Sequence, residues 1–221
     1  NESDLQAAQA LYQQRDYRGA EVAYRRVLAT DGDSPDVIND LGLALVEQGP
    51  DRYAEAIEQF EKASKLWEKE GSPSRARSLW NWAKTLLVAE RHAEAVLKYG
   101  EAIVIAPDNI DLYHELGLAL QGQGRDHYPA AIEQFEKAVE RWRQRGSPDR
   151  KHALGDWANT LRLSGRHDEA EAKYREALEL DPDLTNLHYG LGLALRGRGR
   201  DHYPAAIEQF KKADEQWRLH G

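Results

Sequence analysis

Two short clusters in the sequence have residue types that could hold an ion or a nucleotide. The run Asp31-Gly32-Asp33 concentrates carboxylates as calcium loops do, but its glycine is misplaced and no glutamate closes the loop. The run Gly190-Leu191-Gly192 resembles part of a dinucleotide-binding turn. It lacks the third glycine and the preceding strand that such a turn needs. We predict neither a metal site nor a nucleotide site.

The histidines and carboxylates also lack a catalytic arrangement. The sequence has eight histidines but no His-Glu-x-x-His pairing. Carboxylates stand beside lysines and arginines at helical spacing, as in Glu133 and Lys137, which is typical of helix-supporting pairs. No nucleophile stands in a recognisable motif. We therefore predict a protein that is not an enzyme and that has no cofactor.

The composition excludes several classes of partner. The net charge is −8 and the sequence has no cysteine. A nucleic-acid-binding surface or an anionic membrane surface would favour a basic protein, so we predict neither partner. No apolar run approaches the roughly 20 residues that span a bilayer. The absence of cysteine leaves the compartment open, with the cytoplasm favoured.

An internal repeat dominates the sequence. The stretch from Leu116 to Ala138 returns almost letter for letter from Leu191 to Ala213, and a looser copy runs from Leu41 to Ala63. The offset is 75 residues, as Gly42, Gly117 and Gly192 show. Within each copy, apolar residues recur at the spacing of two amphipathic helices, which predicts a repeated helix pair.

The motifs within these copies resemble the tetratricopeptide repeat family. Its pattern of about 34 residues reads W-x2-L-G-x2-Y, then A-x3-F, then P. The chain has Tyr113-x2-Leu116-Gly117-x2-Leu120 followed by Ala131-x3-Phe135. It also has Leu79-x2-Trp82-Ala83-x2-Leu86, then Ala95-x3-Tyr99 and Pro107. Six such matches alternate between a short and a long form.

The resemblance implies an all-α fold, a right-handed α-solenoid of antiparallel helix pairs. We expect twelve helices, no strand and one array over residues 1–221. The six repeats would cover approximately residues 1–35, 36–75, 76–110, 111–150, 151–185 and 186–221. Gly117, in the middle of a helix, should mark a close helix crossing.

In proteins of this family, first helices line a concave groove that holds a partner segment. Carried over by register, the candidate groove residues are Asn39, Leu43, Arg77, Trp80, Lys84, His114, Leu118, His152, Asn159, Tyr189 and Leu193. Asn39, His114 and Tyr189 occupy the same position in three similar copies of the repeat but differ in residue type. Such variation is expected of a specific binding surface. The repeated leucines have an alternative role in packing against the neighbouring helix. Trp80 is either a groove anchor or a packed core side chain.

The other tryptophans are expected to be structural. Trp82 and Trp157 share the leucine register of the motif, which predicts core positions. Trp67, Trp142 and Trp217 recur four residues after a core alanine and should pack under the following repeat. The family subtype that clamps the C-terminal carboxylate of chaperone tails is not expected here. The corresponding positions lack its basic residues, and Asp40 would repel a carboxylate.

These observations favour a protein–protein interaction module that binds a protein or peptide partner. The alternatives are a regulatory arm of a larger enzyme or signalling protein, and a structural solenoid that self-assembles. The chain has no methionine, even at residue 1, which predicts a processed protein or an excised fragment. Since the last repeat has no successor in this sequence, we expect Ile207, Phe210 and Trp217 to be partly uncovered and to support weak end-to-end association.

Overall fold

The structure is a computed structural model that describes residues 2–220, without the side chain of His220. The part described contains twelve α-helices and no strand, which confirms the all-α prediction. Their bounds are α1 Glu2–Gln13, α2 Tyr17–Asp31, α3 Pro35–Val46, α4 Tyr53–Lys69, α5 Arg75–Val88, α6 His92–Ile105, α7 Ile110–Gly122, α8 Tyr128–Gln144, α9 Arg150–Leu163, α10 His167–Leu180, α11 Thr185–Gly197 and α12 Tyr203–His220.

The chain divides into two compact units, Asn1–Leu112 and Tyr113–Gly221. In the first unit, α1 packs on α2, α3 on α4 and α5 on α6, and each pair contacts the next through α2 with α3 and α4 with α5. In the second unit, α9 packs on α10 and α11 on α12, and neighbouring pairs meet through α8 with α9 and α10 with α11. A single array over all six repeats remains a prediction.

The two forms of the repeat differ in the turn between their helices. Each long repeat inserts one turn of 3₁₀ helix, at Pro50–Arg52, Arg125–His127 and Arg200–His202. A glycine with positive φ precedes each turn; at Gly124 the angle is 98°. That backbone conformation disfavours side chains with a Cβ, so glycine is the residue that fits there.

Small residues let the two helices of a pair approach closely. A Cβ atom on Gly117 would lie 2.6 Å from Cε1 of Phe135, so the ring occupies the space of a side chain. The same contact joins Gly42 to Phe60 at 2.6 Å. Phe60 and Phe135 are both fully buried. The close crossing predicted at Gly117 is therefore confirmed.

The tryptophans fall into two groups. Trp67 and Trp142 are buried, as predicted, and retain 2% and 6% of their surface. Trp82 and Trp157 differ from the core prediction, because both are only half-buried. The Nζ atom of Lys98 lies 4.2 Å from the ring centroid of Trp82. A lysine on the second helix of the same pair thus covers a ring that is too wide for the core position.

Buried carboxylates join successive repeats within each unit. Glu21 on α2 accepts hydrogen bonds from Arg52 at 2.8 Å and from Gln48 at 2.7 Å. The hydrogen bond from Arg52 is the main reason that the pKa of Glu21 lies below its ordinary value. Glu171, in the same register of the second unit, pairs with Arg198. Each pair connects the second helix of a short repeat, α2 or α10, to the turn of the long repeat that follows it.

Candidate functional site

The side chains at the predicted groove positions come from the first helices α3, α5, α7, α9 and α11. Within the first unit, Arg77 and Lys84 are exposed, whereas Leu43 and Trp80 are half-buried. Asn39 differs from the groove prediction, because it is fully buried and its Oδ1 accepts a hydrogen bond of 3.1 Å from Asn81. It connects α3 to α5 and is not accessible to a ligand.

Within the second unit, the predicted positions are more open. Tyr189 is 55% exposed, His152 is exposed, and three others are half-buried: Leu118, Asn159 and Leu193. His114 is half-buried and its Nε2 lies 2.7 Å from Oδ2 of Asp156 on the next first helix. His114 therefore connects α7 to α9, at the same register where Asn39 connects two helices of the first unit.

A pocket of about 330 Å³ lies among α1, α2 and α3 and is called here the Asp40 pocket. Its lining consists of a carboxylate, two tyrosines, two glutamines and one predicted groove residue: Gln9, Tyr12, Gln13, Tyr24, Asp40 and Leu43. Burial raises the pKa of Asp40, and the nearby Arg77 opposes that shift only in part. Burial also raises the pKa of Tyr24, with the charge of Asp40 adding to the effect.

The raised pKa indicates what the Asp40 pocket can hold. Burial disfavours the charged form of a carboxylate, and a cation placed beside it stabilises that form. The half-buried ring of Tyr12 supplies aromatic surface next to that carboxylate, whereas Tyr24 is buried. A lysine or arginine side chain satisfies both features, through an ion pair and through contact with the aromatic face.

A second pocket, of about 290 Å³, lies among α9, α10 and α11 and is called here the Arg162 pocket. It includes four predicted groove residues, namely His152, Asn159, Tyr189 and Leu193. The Nη2 of Arg162 donates a 2.7 Å hydrogen bond to Oδ1 of Asn159. Its Nε is buried without a hydrogen-bond partner. The guanidinium group places a positive charge at this pocket, which would favour an anionic group of a ligand.

The two pockets occupy the same register, 150 residues apart. Tyr24 corresponds to Tyr174 and Leu43 to Leu193, so the frame is retained. The charged positions are not retained. Asp40 is replaced by Gly190, and Tyr12 is replaced by Arg162. The lining of the first pocket therefore has one carboxylate, Asp40, and no lysine or arginine. The lining of the second has Lys151 and Arg162 against one carboxylate, Asp156.

Comparison with known proteins identifies the repeat. A model of the tetratricopeptide repeat matches residues 5–51 and 156–219, which together make up half of the chain. The chain belongs to the tetratricopeptide repeat family. Two further models of tetratricopeptide repeats match residues 108–183 and residues 89–124.

Curated relatives of this tetratricopeptide repeat chain match it only in part. An uncharacterized protein, y4yS of Sinorhizobium fredii, is 35% identical over 94 residues, which are 42% of this chain and 48% of that protein. Tetratricopeptide repeat protein 36 of Xenopus tropicalis is 35% identical over 97 residues, 44% of this chain and 46% of that protein. The chain thus spans about half the length of the curated relatives it matches.

Solved structures share the tetratricopeptide repeat fold. The C-terminal part of a TPR repeat-containing protein from Cytophaga hutchinsonii has a TM-score of 0.77 at 17% identity, covering 98% of this chain and 80% of that one. YrrB, described as a TPR protein with an unusual peptide-binding site, has a TM-score of 0.66 at 20% identity, covering 90% of this chain and 94% of that one. At these identities the likeness concerns the fold.

The two residues that distinguish the pockets by charge are not among the predicted groove residues. The sequence motifs indicate for Asp40 only that it repels carboxylates, and they indicate no role for Arg162. The signal was available, because both positions differ between copies that retain a tyrosine and a leucine around them. Over residues 2–220, no group of three potential metal ligands and no helix able to cross a membrane is found.

Proposed function

We propose that the chain is a non-enzymatic protein-interaction module that binds partner segments along its first helices. The Asp40 pocket takes a lysine or arginine side chain, and the Arg162 pocket takes a carboxylate. One observation supports this proposal. The two pockets occupy the same register and share a tyrosine and a leucine, but Asp40 lines the first and Arg162 lines the second. A repeated frame with altered side chains at the accessible positions gives selectivity without a new fold.

Family context supports the proposal. YrrB, which shares the fold, is described as having an unusual peptide-binding site. A rigid array of helices can hold a peptide at low ordering cost on its own side of the interface. Trp80 offers a further anchor, because it lies on the first helix α5 and is only half-buried.

A random peptide display selection tests the proposal. The wild-type chain should enrich peptides with lysine or arginine, and the Asp40→Asn variant should lose that preference. The Arg162→Gln variant should lose a preference for acidic residues or a free C-terminus, while Arg196→Ala, an exposed position outside both pockets, serves as control. Identical enrichment for all four proteins would contradict binding at the pockets.

Self-assembly is a second candidate function, favoured by the exposed surface of the last helix pair. Ile207 is 53% exposed and Trp217 is 73% exposed. Sedimentation velocity over a wide concentration range measures such association directly. A third candidate, a regulatory arm of a larger protein, is tested by determining the full-length gene.

A further inference from the structure

The Arg162 pocket contains a charge that opposes the ligand proposed for it. Asp156 lines the pocket together with Arg162, and its side chain is 37% exposed. A ligand carboxylate placed beside the guanidinium of Arg162 would therefore also meet a second carboxylate. Like charges at close range repel each other, so the charge of Asp156 affects how well the pocket accepts an anion.

The hydroxyl of Tyr174 shows that both charges act inside the pocket. Tyr174 lies on α10, lines the pocket and retains 3% of its surface. Burial is the main cause of its raised pKa; the charge of Arg162 and a hydrogen bond with it lower this pKa, and the charge of Asp156 raises it. Arg162 and Asp156 thus act with opposite sign on one buried group, and they would do the same on a bound anion.

Asp156 is paired with a histidine on a neighbouring first helix. The Nε2 of His114 on α7 lies 2.7 Å from Oδ2 of Asp156 on α9. Since an ionised carboxylate only accepts hydrogen bonds, Nε2 carries the hydrogen of this bond. The bond forms with a neutral or a charged imidazole. Only the charged imidazole, with a second hydrogen on Nδ1, cancels the charge of Asp156.

Aromatic rings surround the imidazole of His114. The ring centroids of Phe135 and Trp142, both on α8, lie 5.8 Å and 5.7 Å from that of His114. The side chain of His114 is 18% exposed. The charge of His114 therefore acts most strongly on Asp156, which it contacts at hydrogen-bond distance.

Other charged groups stand near His114. On α7, Asp111 lies one turn earlier and Glu115 is the next residue. On α8, the guanidinium carbon of Arg141 lies 4.3 Å from the ring centroid of Tyr113. Carboxylates and guanidinium groups ordinarily keep their charge between about pH 6 and 8, whereas histidine changes its charge there. The histidines therefore determine how binding changes in this range.

The first unit has a neutral version of the pair. Asn39 and Asn81 stand 75 residues before His114 and Asp156, in the same registers. The Nδ2 of Asn81 donates a 3.1 Å hydrogen bond to Oδ1 of Asn39. Two amides therefore suffice to connect the first helices at this point. The ionisable pair is found in the unit whose pocket contains Arg162.

The second cation of the pocket lining is already paired. The Nζ of Lys151 lies 2.6 Å from Oδ2 of Asp181, and the two side chains are 24% and 26% exposed. The hydrogen bond from Lys151 is the main reason that the pKa of Asp181 lies below its ordinary value. The balance of charge that a ligand meets therefore depends mainly on Arg162 and Asp156.

We propose, on the basis of the function proposed for the Arg162 pocket, that His114 and Asp156 make its affinity for a carboxylate depend on pH. At lower pH the charged His114 cancels the charge of Asp156, and the ligand pairs with Arg162 against less repulsion. At higher pH the neutral His114 keeps its hydrogen bond, and the charge of Asp156 weakens binding. His114 is not part of the pocket lining and acts through Asp156. Because such coupling is reciprocal, a bound carboxylate draws a proton onto His114.

Binding measured at two pH values tests this role. The probes are the acidic peptides that display enriches on the wild-type chain and not on the Arg162→Gln variant. Isothermal titration calorimetry should give an affinity about threefold to tenfold higher at about pH 6 than at about pH 8. Peptide carboxylates remain ionised over this range, so a protein group causes the change. Titrations in buffers of different ionisation enthalpy should show proton uptake on binding.

The first unit supplies the matched variant. The double substitution His114→Asn and Asp156→Asn copies its amide pair and removes both ionisable groups. This variant should bind at both pH values about as tightly as the wild type at the lower pH, with less proton uptake. The single variant His114→Asn keeps the charge of Asp156 and should bind weakly at both. Thermal melts check that both variants are folded.

His152 is the competing titratable group. It is exposed and lines the Arg162 pocket, so its own charge would attract a carboxylate directly. The His152→Gln variant removes that contribution. It should still bind more tightly at the lower pH, with proton uptake, because His114 and Asp156 are intact.

Two outcomes would overturn this role while leaving the proposed function in place. One is binding that requires Arg162 but does not change with pH. The other is a change with pH that persists in the double variant and disappears in His152→Gln. If no acidic peptide binds in a manner that depends on Arg162, the function proposed for the pocket is wrong, and the role of His114 with it.

Discussion

The ring of Phe135 fills the space that a side chain on Gly117 would need. A Cβ atom there would lie 2.6 Å from Cε1 and 2.8 Å from Cδ1 of the ring. Real Cβ atoms do not approach other atoms so closely, and the fully buried ring has no free space to move into. The two residues therefore form one packing unit, in which glycine is required by its neighbour and not by its own backbone.

The first prediction concerns this contact. Gly117→Leu should lower the free energy of unfolding by roughly 1–3 kcal/mol, because the added side chain overpacks the crossing. Gly100→Ala on α6 is the matched control, since its Cβ would meet no atom within 4 Å. There the change should stabilise by up to about 1 kcal/mol through helix propensity. Urea denaturation measures both, and equal stabilities for the two variants would contradict the packing argument.

The second prediction compares tryptophans in one register. Trp67→Ala should destabilise by about 3–5 kcal/mol, because the side chain is 2% exposed and its loss leaves a cavity. Trp217→Ala should change stability by less than about 0.5 kcal/mol, because that ring is 73% exposed. Thermal melts of the two variants check this difference. A large loss for Trp217→Ala would mean that its ring is buried in solution.

The third prediction concerns the buried pair of Glu21 and Arg52. The pKa of Glu21 lies below its ordinary value of 4.5, so the pair stabilises the fold above that pH. The contribution is lost as the pH falls through the lowered pKa. Arg52→Ala should therefore cost about 1.5–3 kcal/mol at neutral pH and less in acid.

Arg91 provides the control for this pair. It bonds Glu94 three residues away at 2.6 Å, and both side chains are about half-exposed. Arg91→Ala should cost no more than about 1 kcal/mol. Chemical denaturation at neutral and acidic pH compares the variants, and a cost for Arg52→Ala that does not vary with pH would contradict the role assigned to Glu21.

The fourth prediction separates stability from binding at Asp40. Burial raises the pKa of this carboxyl, so its charged form is disfavoured in the folded state. The free energy of unfolding should fall as the pH rises through the raised pKa, since the folded state must then lose the proton. Asp40→Asn should stabilise the free protein at neutral pH by about 0.5–2 kcal/mol.

The same variant should bind cationic peptides more weakly. Peptides with lysine or arginine selected on the wild-type chain provide the ligands, and isothermal titration calorimetry provides the affinity. If Asp40→Asn lost both stability and affinity, the carboxylate would be a structural residue of α3 and not a binding residue.

Much of the fold could be predicted because helix faces follow directly from the spacing of apolar residues. Leu116 and Phe135 mark two stripes, and the same stripes recur throughout the chain. The burial of Trp67 and the crossing at Gly117 also followed, since both depend on contacts within one repeat or between neighbours. The inserted 3₁₀ turns could not be predicted as such. The sequence indicates only that the segment between the two helices is two residues longer in the long repeats than in the short ones.

The site was harder to predict because accessibility depends on what the next helix brings. Asn39 occupies a groove register, but Asn81 of the following first helix contacts it and its side chain is buried. His114 likewise meets Asp156. Register places a side chain on the first-helix face, whereas the spacing between neighbouring helices decides whether a ligand or another repeat occupies the space in front of it.

The contact between glycine and phenylalanine also bears on how such a gene can lengthen or shorten. Gly42, Gly117 and Gly192 each face a phenylalanine of their own repeat at 2.6 Å or less. The short repeats instead combine alanine with tyrosine, as in Ala83 and Tyr99. A recombination event that shifts the alignment by 75 residues rejoins glycine with phenylalanine and keeps every crossing intact. When the crossover falls between the two helices of a repeat, a shift by one repeat pairs alanine with phenylalanine and overpacks the crossing. Crossovers at that point should therefore be tolerated only in steps of two repeats.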